Sequence, residues 1–293
     1  MKTKIFTGAA TALVTPFTEN GIDYENFGRL IDMQIEQGIN ALVICGTTGE
    51  ASTMPDEEHL AVLKFAIDKI AKRVPVICGT GSNDTLHGIE LCKEAEALGA
   101  DALLCVTPYY NKTTQEGLYQ HFKAMADAVS IPMILYNVPT RTGINLAPTT
   151  IARLAEIDNI VAVKECNLTQ MADVRRLTPE DFSIYSGNDD QIPYNLVMGG
   201  SGVISVLSNI APAYVVEMIE KFFAGDVAGC RKMQLDAIPL CNALFSEVNP
   251  IPAKAAVEMM GYCNGIVRMP LVPISEKNRE ILYAEMKNFG LIH

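Results

Sequence analysis

Short apolar runs recur along the first two-thirds of the chain at intervals of ~30 residues, the length of a strand-helix repeat. There are eight: Gly8–Phe17, Asn40–Cys45, Val74–Gly79, Asp101–Thr107, Ile131–Asn137, Ile160–Glu165, Phe182–Gly187 and Gly202–Val206. Runs this short and this apolar read as strands buried on both faces. Between them the apolar positions change to helical spacing. Tyr24–Gln37 sets Phe27, Leu30, Ile31 and Ile35 on one stripe, as a helix packed on a core requires. Pro55–Lys72 opens with a proline and three acids, which suit a helix start. Asp84–Leu98 stops at Gly99, a residue fit for a C-cap. Thr113–Val129 and Pro148–Ile157 follow the same logic. After Ser208 only helical spacing remains, over Ala211–Phe223, Val227–Phe245, Pro252–Met260 and Glu276–Phe289.

Strands alternating with helices imply parallel strands joined by helical crossovers. Eight such units over ~200–250 residues match a closed (β/α)8 barrel in strand number and size. The expected fold class is therefore α/β, with residues 1–225 as a catalytic barrel and 226–293 as a C-terminal helical appendage. An open doubly wound sheet competes, but it needs a glycine-rich phosphate loop after the first strand. Gly79-Thr-Gly-Ser-Asn-Asp84 lacks the third glycine and follows the third strand, which disfavours dinucleotide-dependent redox chemistry.

Composition narrows the partners. The chain has 293 residues, 49% of them apolar, ample for one large core. A net charge of −11, with the acids dispersed, argues against nucleic acid and anionic membrane. Eight cysteines occur, none in a Cys-x-x-Cys pair and several inside apolar runs; a reduced, cytoplasmic setting fits them. The start, Met-Lys-Thr-Lys-Ile-Phe-Thr-Gly, has no signal-peptide core, and no apolar run reaches bilayer length. His59, His87, His121 and His293 are scattered without ligand spacing, so no metal is expected, and no cofactor.

In a barrel, chemistry gathers where strands end. Ile160-Val-Ala-Val-Lys-Glu-Cys166 closes on an amine. Desolvation disfavours a charged lysine, and a neutral amine attacks carbonyls to form a Schiff base. The plainer alternative for Lys164 is a snorkelling side chain or an ion pair with Glu165. The neighbouring run ends Tyr136-Asn-Val-Pro-Thr-Arg141-Thr-Gly143, offering a phenol for proton transfer and a guanidinium fork for a carboxylate. Gly46-Thr47-Thr48-Gly49-Glu50 is either an ordinary glycine turn or an anion-binding loop of amides and hydroxyls. Tyr109 and Tyr110, after Pro108, suit packing or an interface more often than chemistry. Lys254, in Ile251-Pro-Ala-Lys-Ala-Ala256, is a second apolar-flanked lysine, but it falls outside the barrel repeat. Nucleophile, proton relay and anion clamp together make a kit for Schiff-base chemistry on a small keto acid.

These motifs resemble the dihydrodipicolinate synthase family, within the pyruvate-dependent aldolases that include N-acetylneuraminate lyase. The resemblance runs from Thr11-Ala-Leu-Val-Thr-Pro-Phe17 through Asn249-Pro-Ile-Pro-Ala-Lys254. Gly46-Thr-Thr-Gly-Glu50 and the Tyr136/Lys164 pair mark the wider group. Tyr136-Asn-Val-Pro-Thr-Arg141-Thr-Gly143 with Pro108-Tyr-Tyr-Asn111 marks the narrower one. The resemblance implies that pyruvate condenses with Lys164 and that the resulting enamine attacks L-aspartate 4-semialdehyde, a step of lysine and diaminopimelate biosynthesis. It implies a proton relay of Thr47, Tyr136 and Tyr110, with Tyr110 supplied by a neighbouring subunit of a homotetramer. It assigns the pyruvate carboxylate to Thr48 and the semialdehyde carboxylate to Arg141, with Gly187 and Ile204 lining the site through their backbones.

In lysine-inhibited relatives, the resemblance further implies, an effector site lies at the dimer interface. His59, Asn83 and Tyr109 match it here. Asp56 replaces a frequent histidine, and His87 stands where an acid normally holds the effector's amino group, removing a charge-assisted bond. Weak or absent feedback inhibition is expected. Two other functions compete. An aldolase for N-acetylneuraminate or a 2-keto-3-deoxy sugar acid would call for more hydroxyl and amide partners than Arg141 provides. A non-catalytic keto-acid-binding sensor would have no need of the nucleophile Lys164.

Overall fold

Each of the eight apolar runs forms a strand in the computed structural model, which describes residues 1–293. The strands are β1 (Gly8–Ala12), β2 (Ala41–Ile44), β3 (Val76–Gly79), β4 (Ala102–Val106), β5 (Met133–Asn137), β6 (Ile160–Glu165), β7 (Ser183–Ser186) and β8 (Gly202–Ser205). All pair in parallel with their sequence neighbours, and β8 pairs with β1 to close the barrel. This is the expected (β/α)8 architecture. The first run is shorter as a strand than its apolar stretch. Its tail, Phe17–Thr18, instead pairs antiparallel with Gly21–Ile22.

Closure gives every strand two apolar environments. One set of alternating residues, including Ala10, Ala41, Val43, Ile77, Ala102, Leu104, Ile134, Ala162 and Ile204, fills the barrel interior. The other set packs outward into a continuous core of 64 residues shared with the helices. Alanine and branched aliphatic residues make up most of this inner face, as suits an eight-stranded interior just wide enough for side chains to fill. Phe6, two residues before β1, belongs to the inner cluster. Its ring stacks on Tyr185 at 4.2 Å and 7°, and the Tyr185 hydroxyl donates to the Phe6 carbonyl at 2.8 Å. Side chains thus fill the N-terminal end of the barrel.

The helices begin and end close to the spans that apolar spacing predicts. Tyr24–Glu36, Thr85–Leu98 and Gln115–Asp127 are capped by Asp23, Asp84 and Thr114, each accepting from a backbone N–H of the first turn. Two short helices, Met171–Leu177 and Ile192–Val197, complete the barrel where the apolar pattern marks none. The last helices, Val227–Leu244, Ile251–Met259 and Glu276–Asn288, pack on one another. Their apolar residues merge with the barrel's outer core through Leu240, Ala253, Leu282 and Met286. No helix is long and apolar enough to cross a membrane. All eight cysteines are free thiols, six of them buried.

Candidate active site

Strand alternation decides where Lys164 points. Side chains of a strand alternate between faces, and Lys164 has the same parity as Ala162, an interior residue. Glu165 has the opposite parity and turns away from the barrel interior. It accepts from Asn137 Nδ2 at 2.8 Å, Asn167 N at 2.7 Å and Gln170 Nε2 at 2.9 Å. The adjacent acid therefore serves the wall, and an ion pair between the two is ruled out. Burial raises the Glu165 carboxyl to about 7 against the pull of those donors.

Lys164 lies opposite Tyr136 in the register of β5 and β6, its Nζ 4.6 Å from the centre of the tyrosine ring. It is 6% exposed. Burial lowers its affinity for a proton and the nearby Arg141 charge adds to this, while Cys166 and Asp189 act in the opposite sense. Burial likewise pushes the Tyr136 phenol above its ordinary range, opposed by the Thr47 hydroxyl and Arg141. An amine whose hold on its proton burial weakens thus faces a phenol whose hold burial strengthens, the pairing that a nucleophile and a proton donor require.

Gly187 makes the place for this amine. A Cβ there would come within 2.2 Å of Cys166 Sγ and 3.1 Å of Lys164 Cε. Ile204 is fully buried in the same inner cluster. Thr47, Tyr136 and Arg141 line one cavity of about 570 Å³, whose walls also include Gly79, Gly81, Val106 and Val138. Gly79 is bare for a structural reason, since a Cβ there would meet the Cys45 carbonyl oxygen at 2.1 Å. Arg141 sits on the short helix Pro139–Thr142 after β5. Its Nη2 donates to the Asn249 carbonyl at 3.0 Å. Thr48 is buried, and its Oγ1 accepts from Asn249 Nδ2 at 2.9 Å.

A model of the dihydrodipicolinate synthetase family matches residues 5–289. The chain belongs to the dihydrodipicolinate synthetase family. It is 56% identical to the 4-hydroxy-tetrahydrodipicolinate synthase of Acetivibrio thermocellus over 292 residues, covering all of both chains. The chloride-inhibited dihydrodipicolinate synthase of Acinetobacter baumannii, solved with pyruvate, superposes with a TM-score of 0.96 at 44% identity, over 99% of this chain and 100% of that one. The Cyanidioschyzon merolae enzyme, solved with lysine bound, gives a TM-score of 0.96 at 40% identity over the same shares.

Five of the expected residues do not line that cavity: Lys164, Thr48, Gly187 and Ile204, which are buried or half-buried, and Tyr110. Tyr110 is 92% exposed, with a backbone φ of +69°, a conformation uncommon for a side chain of this bulk. It does not line the cavity that Thr47 and Tyr136 share. The residues of the expected effector site do gather. His59, Tyr109, Asp56 and His87 line the same cavity, and Asn83 Nδ2 donates to the Tyr109 carbonyl at 3.2 Å. His87 is engaged from both ring nitrogens, Nε2 with Asp56 Oδ1 at 3.0 Å and Nδ1 with Ser82 Oγ at 3.1 Å. His59 is buried against the Gly79 carbonyl at 2.9 Å, and burial lowers its proton affinity.

Lys254, the second apolar-flanked lysine, is fully buried but not free. Its Nζ donates to Glu50 Oε1 at 2.5 Å and lies 3.8 Å from the Phe17 ring centre. Glu50 adopts φ +58° and accepts from Arg268 N at 2.9 Å. The Gly46–Glu50 loop is thereby anchored to the C-terminal helices. Three residues brace the site without a role assigned from the sequence: Glu50 and Asn249, although both lie within its motifs, and Asp189, whose Oδ2 accepts from Val206 N and Leu207 N at 2.8 and 2.9 Å. The side-chain partners of Glu50 and Asn249 lie 204 and 201 positions away in sequence, so the motifs alone did not show what these side chains hold.

Proposed function

We propose that this chain is a 4-hydroxy-tetrahydrodipicolinate synthase that works through a pyruvate Schiff base on Lys164. The observation that carries this is the buried, unpaired Lys164 amine inside the barrel beside Tyr136. The amine attacks C2 of pyruvate, and loss of water gives the imine. Removal of a methyl proton gives the enamine, whose carbon bonds to the aldehyde carbon of L-aspartate 4-semialdehyde. The substrate's own amine then attacks the imine carbon and displaces Lys164, closing the ring. One water is lost overall, and the enzyme is regenerated.

Each proton must move between groups within hydrogen-bond reach. Tyr136 and Thr47 serve this relay, and Tyr110 completes it from a second copy of the chain, consistent with its exposure. Thr48 holds the pyruvate carboxylate and Arg141 the semialdehyde carboxylate; no acid of this chain competes for the Arg141 fork within hydrogen-bond range. Gly187 and Ile204 line the site through their backbones. Residues 1–225 form the catalytic barrel and 226–293 the helical appendage. The assembly is a dimer of dimers, and the free thiols suit a reducing cytoplasm. Feedback by lysine through His59, Asn83 and Tyr109 is weak, because His87 and Asp56 are already paired.

Incubation with pyruvate followed by borohydride and peptide mass analysis tests the chemistry. A reduced pyruvyl adduct on the peptide holding Lys164 is expected; an adduct elsewhere, or none, sinks the mechanism. Turnover of aspartate semialdehyde should exceed aldol reaction with N-acetylmannosamine. The reverse order would point to the sugar-acid aldolases.

A further inference from the structure

The loop that presents Thr47 and Thr48 is gripped at two points by the segment Asn249–Lys254. At one point Lys254 Nζ meets Glu50 Oε1 at 2.5 Å. At the other, Asn249 Nδ2 donates to Thr48 Oγ1 at 2.9 Å, with both residues buried. The Asn249 backbone carbonyl also accepts from Arg141 Nη2 at 3.0 Å. A single residue therefore touches Thr48 and Arg141, which lie in loops after different strands.

Asn249 uses its amide in one direction. The N–H is engaged, while Oδ1 is buried with no partner. A hydroxyl carries one proton and two lone pairs. With one Thr48 lone pair taken by the amide, the hydroxyl proton stays free for another acceptor. An acceptor in place of the amide N–H would capture that proton instead and turn Thr48 lone pairs toward the ligand.

We propose that Asn249 is a positioning residue for substrate carboxylates: its N–H keeps the Thr48 hydroxyl oriented as a donor, and its carbonyl tethers Arg141. This rests on the function proposed above, in which Thr48 binds the pyruvate carboxylate. Asn249 acts through Thr48, without touching substrate.

A double-variant cycle tests it. Asn249→Asp, Thr48→Val and the two combined are assayed for pyruvate KM and for kcat, and each is trapped with pyruvate and borohydride. Asn249→Asp is expected to raise KM by about tenfold, the worth of one hydrogen bond to a charged group, with kcat changed less than about twofold. In the Thr48→Val background the same substitution should add little. If Asn249→Asp does not fold, Asn249→Ala carries the test: a smaller KM rise, again abolished by Thr48→Val. An unchanged KM, or an equal rise with and without Thr48, overturns the proposal. Absence of a Lys164 adduct in the unaltered protein would instead refute the function itself, so the two failures are distinguishable.

Discussion

Replacing Lys254 with methionine would leave Glu50 as a buried carboxylate without its cation. The pair lies at 0% and 1% side-chain exposure. Removing one partner from a buried pair costs about 3–5 kcal/mol, because the remaining charge keeps its desolvation penalty. The Arg268 N–H still reaches Glu50 at 2.9 Å, which places the loss toward the lower end. Unfolding entropy of ~2.1 cal/mol/K per residue over 293 residues amounts to about 0.6 kcal/mol/K. Lys254→Met should therefore lower the unfolding midpoint by about 5–8 °C. Calorimetry at pH 7 and fixed protein concentration reads this directly. The combined variant Lys254→Met/Glu50→Gln leaves no buried charge and should recover at least half of the loss. A midpoint within about 2 °C of the parent for Lys254→Met, or a double variant as unstable as the two losses added, refutes the reasoning.

Tyr136→Phe removes the phenolic proton carrier and is expected to lower kcat by ~10²–10⁴, with the fold intact by circular dichroism; a loss below tenfold would remove Tyr136 from the relay. Glu165 gives a pH signature. Its folded value of about 7 lies above the ordinary 4.5, so the folded state binds the proton more tightly than the unfolded chain. Its contribution is complete below pH ~4.5 and is lost as pH rises to about 7, up to ~3 kcal/mol. Glu165→Gln should flatten that decline in denaturant titrations at stepped pH; parallel curves would contradict the assignment. Lysine added to initial-rate assays should leave turnover nearly unchanged, whereas His87→Glu should introduce inhibition. Strong inhibition of the unaltered protein would show that the Asp56–His87 pair yields to the effector.

The barrel was legible because parallel strands buried on both faces are written as uninterrupted apolar runs. The burial of Lys164 was half legible for the same reason: the apolar run set it at a strand end, but left open a snorkelling side chain or an ion pair with Glu165. The helices Met171–Leu177 and Ile192–Val197 were not, being seven and six residues long and too short to establish a period. The side chains that brace the site are hidden in a different way. Asn249 and Thr48 are 201 positions apart, Lys254 and Glu50 204, and nothing local distinguishes an asparagine that supports a threonine from one in a turn. Tyr110 shows the complementary limit: it is exposed in a single chain, and the role proposed for it requires a second copy.

The stacked rings of Phe6 and Tyr185 put an aromatic layer inside the barrel next to the reacting amine, because Tyr185 is the register partner of Lys164 on β7. The Tyr185 hydroxyl is tied to the Phe6 carbonyl, so the segment before β1 holds part of the surroundings of Lys164. A change at Phe6, far from Lys164 in sequence, would reach the amine through a single ring.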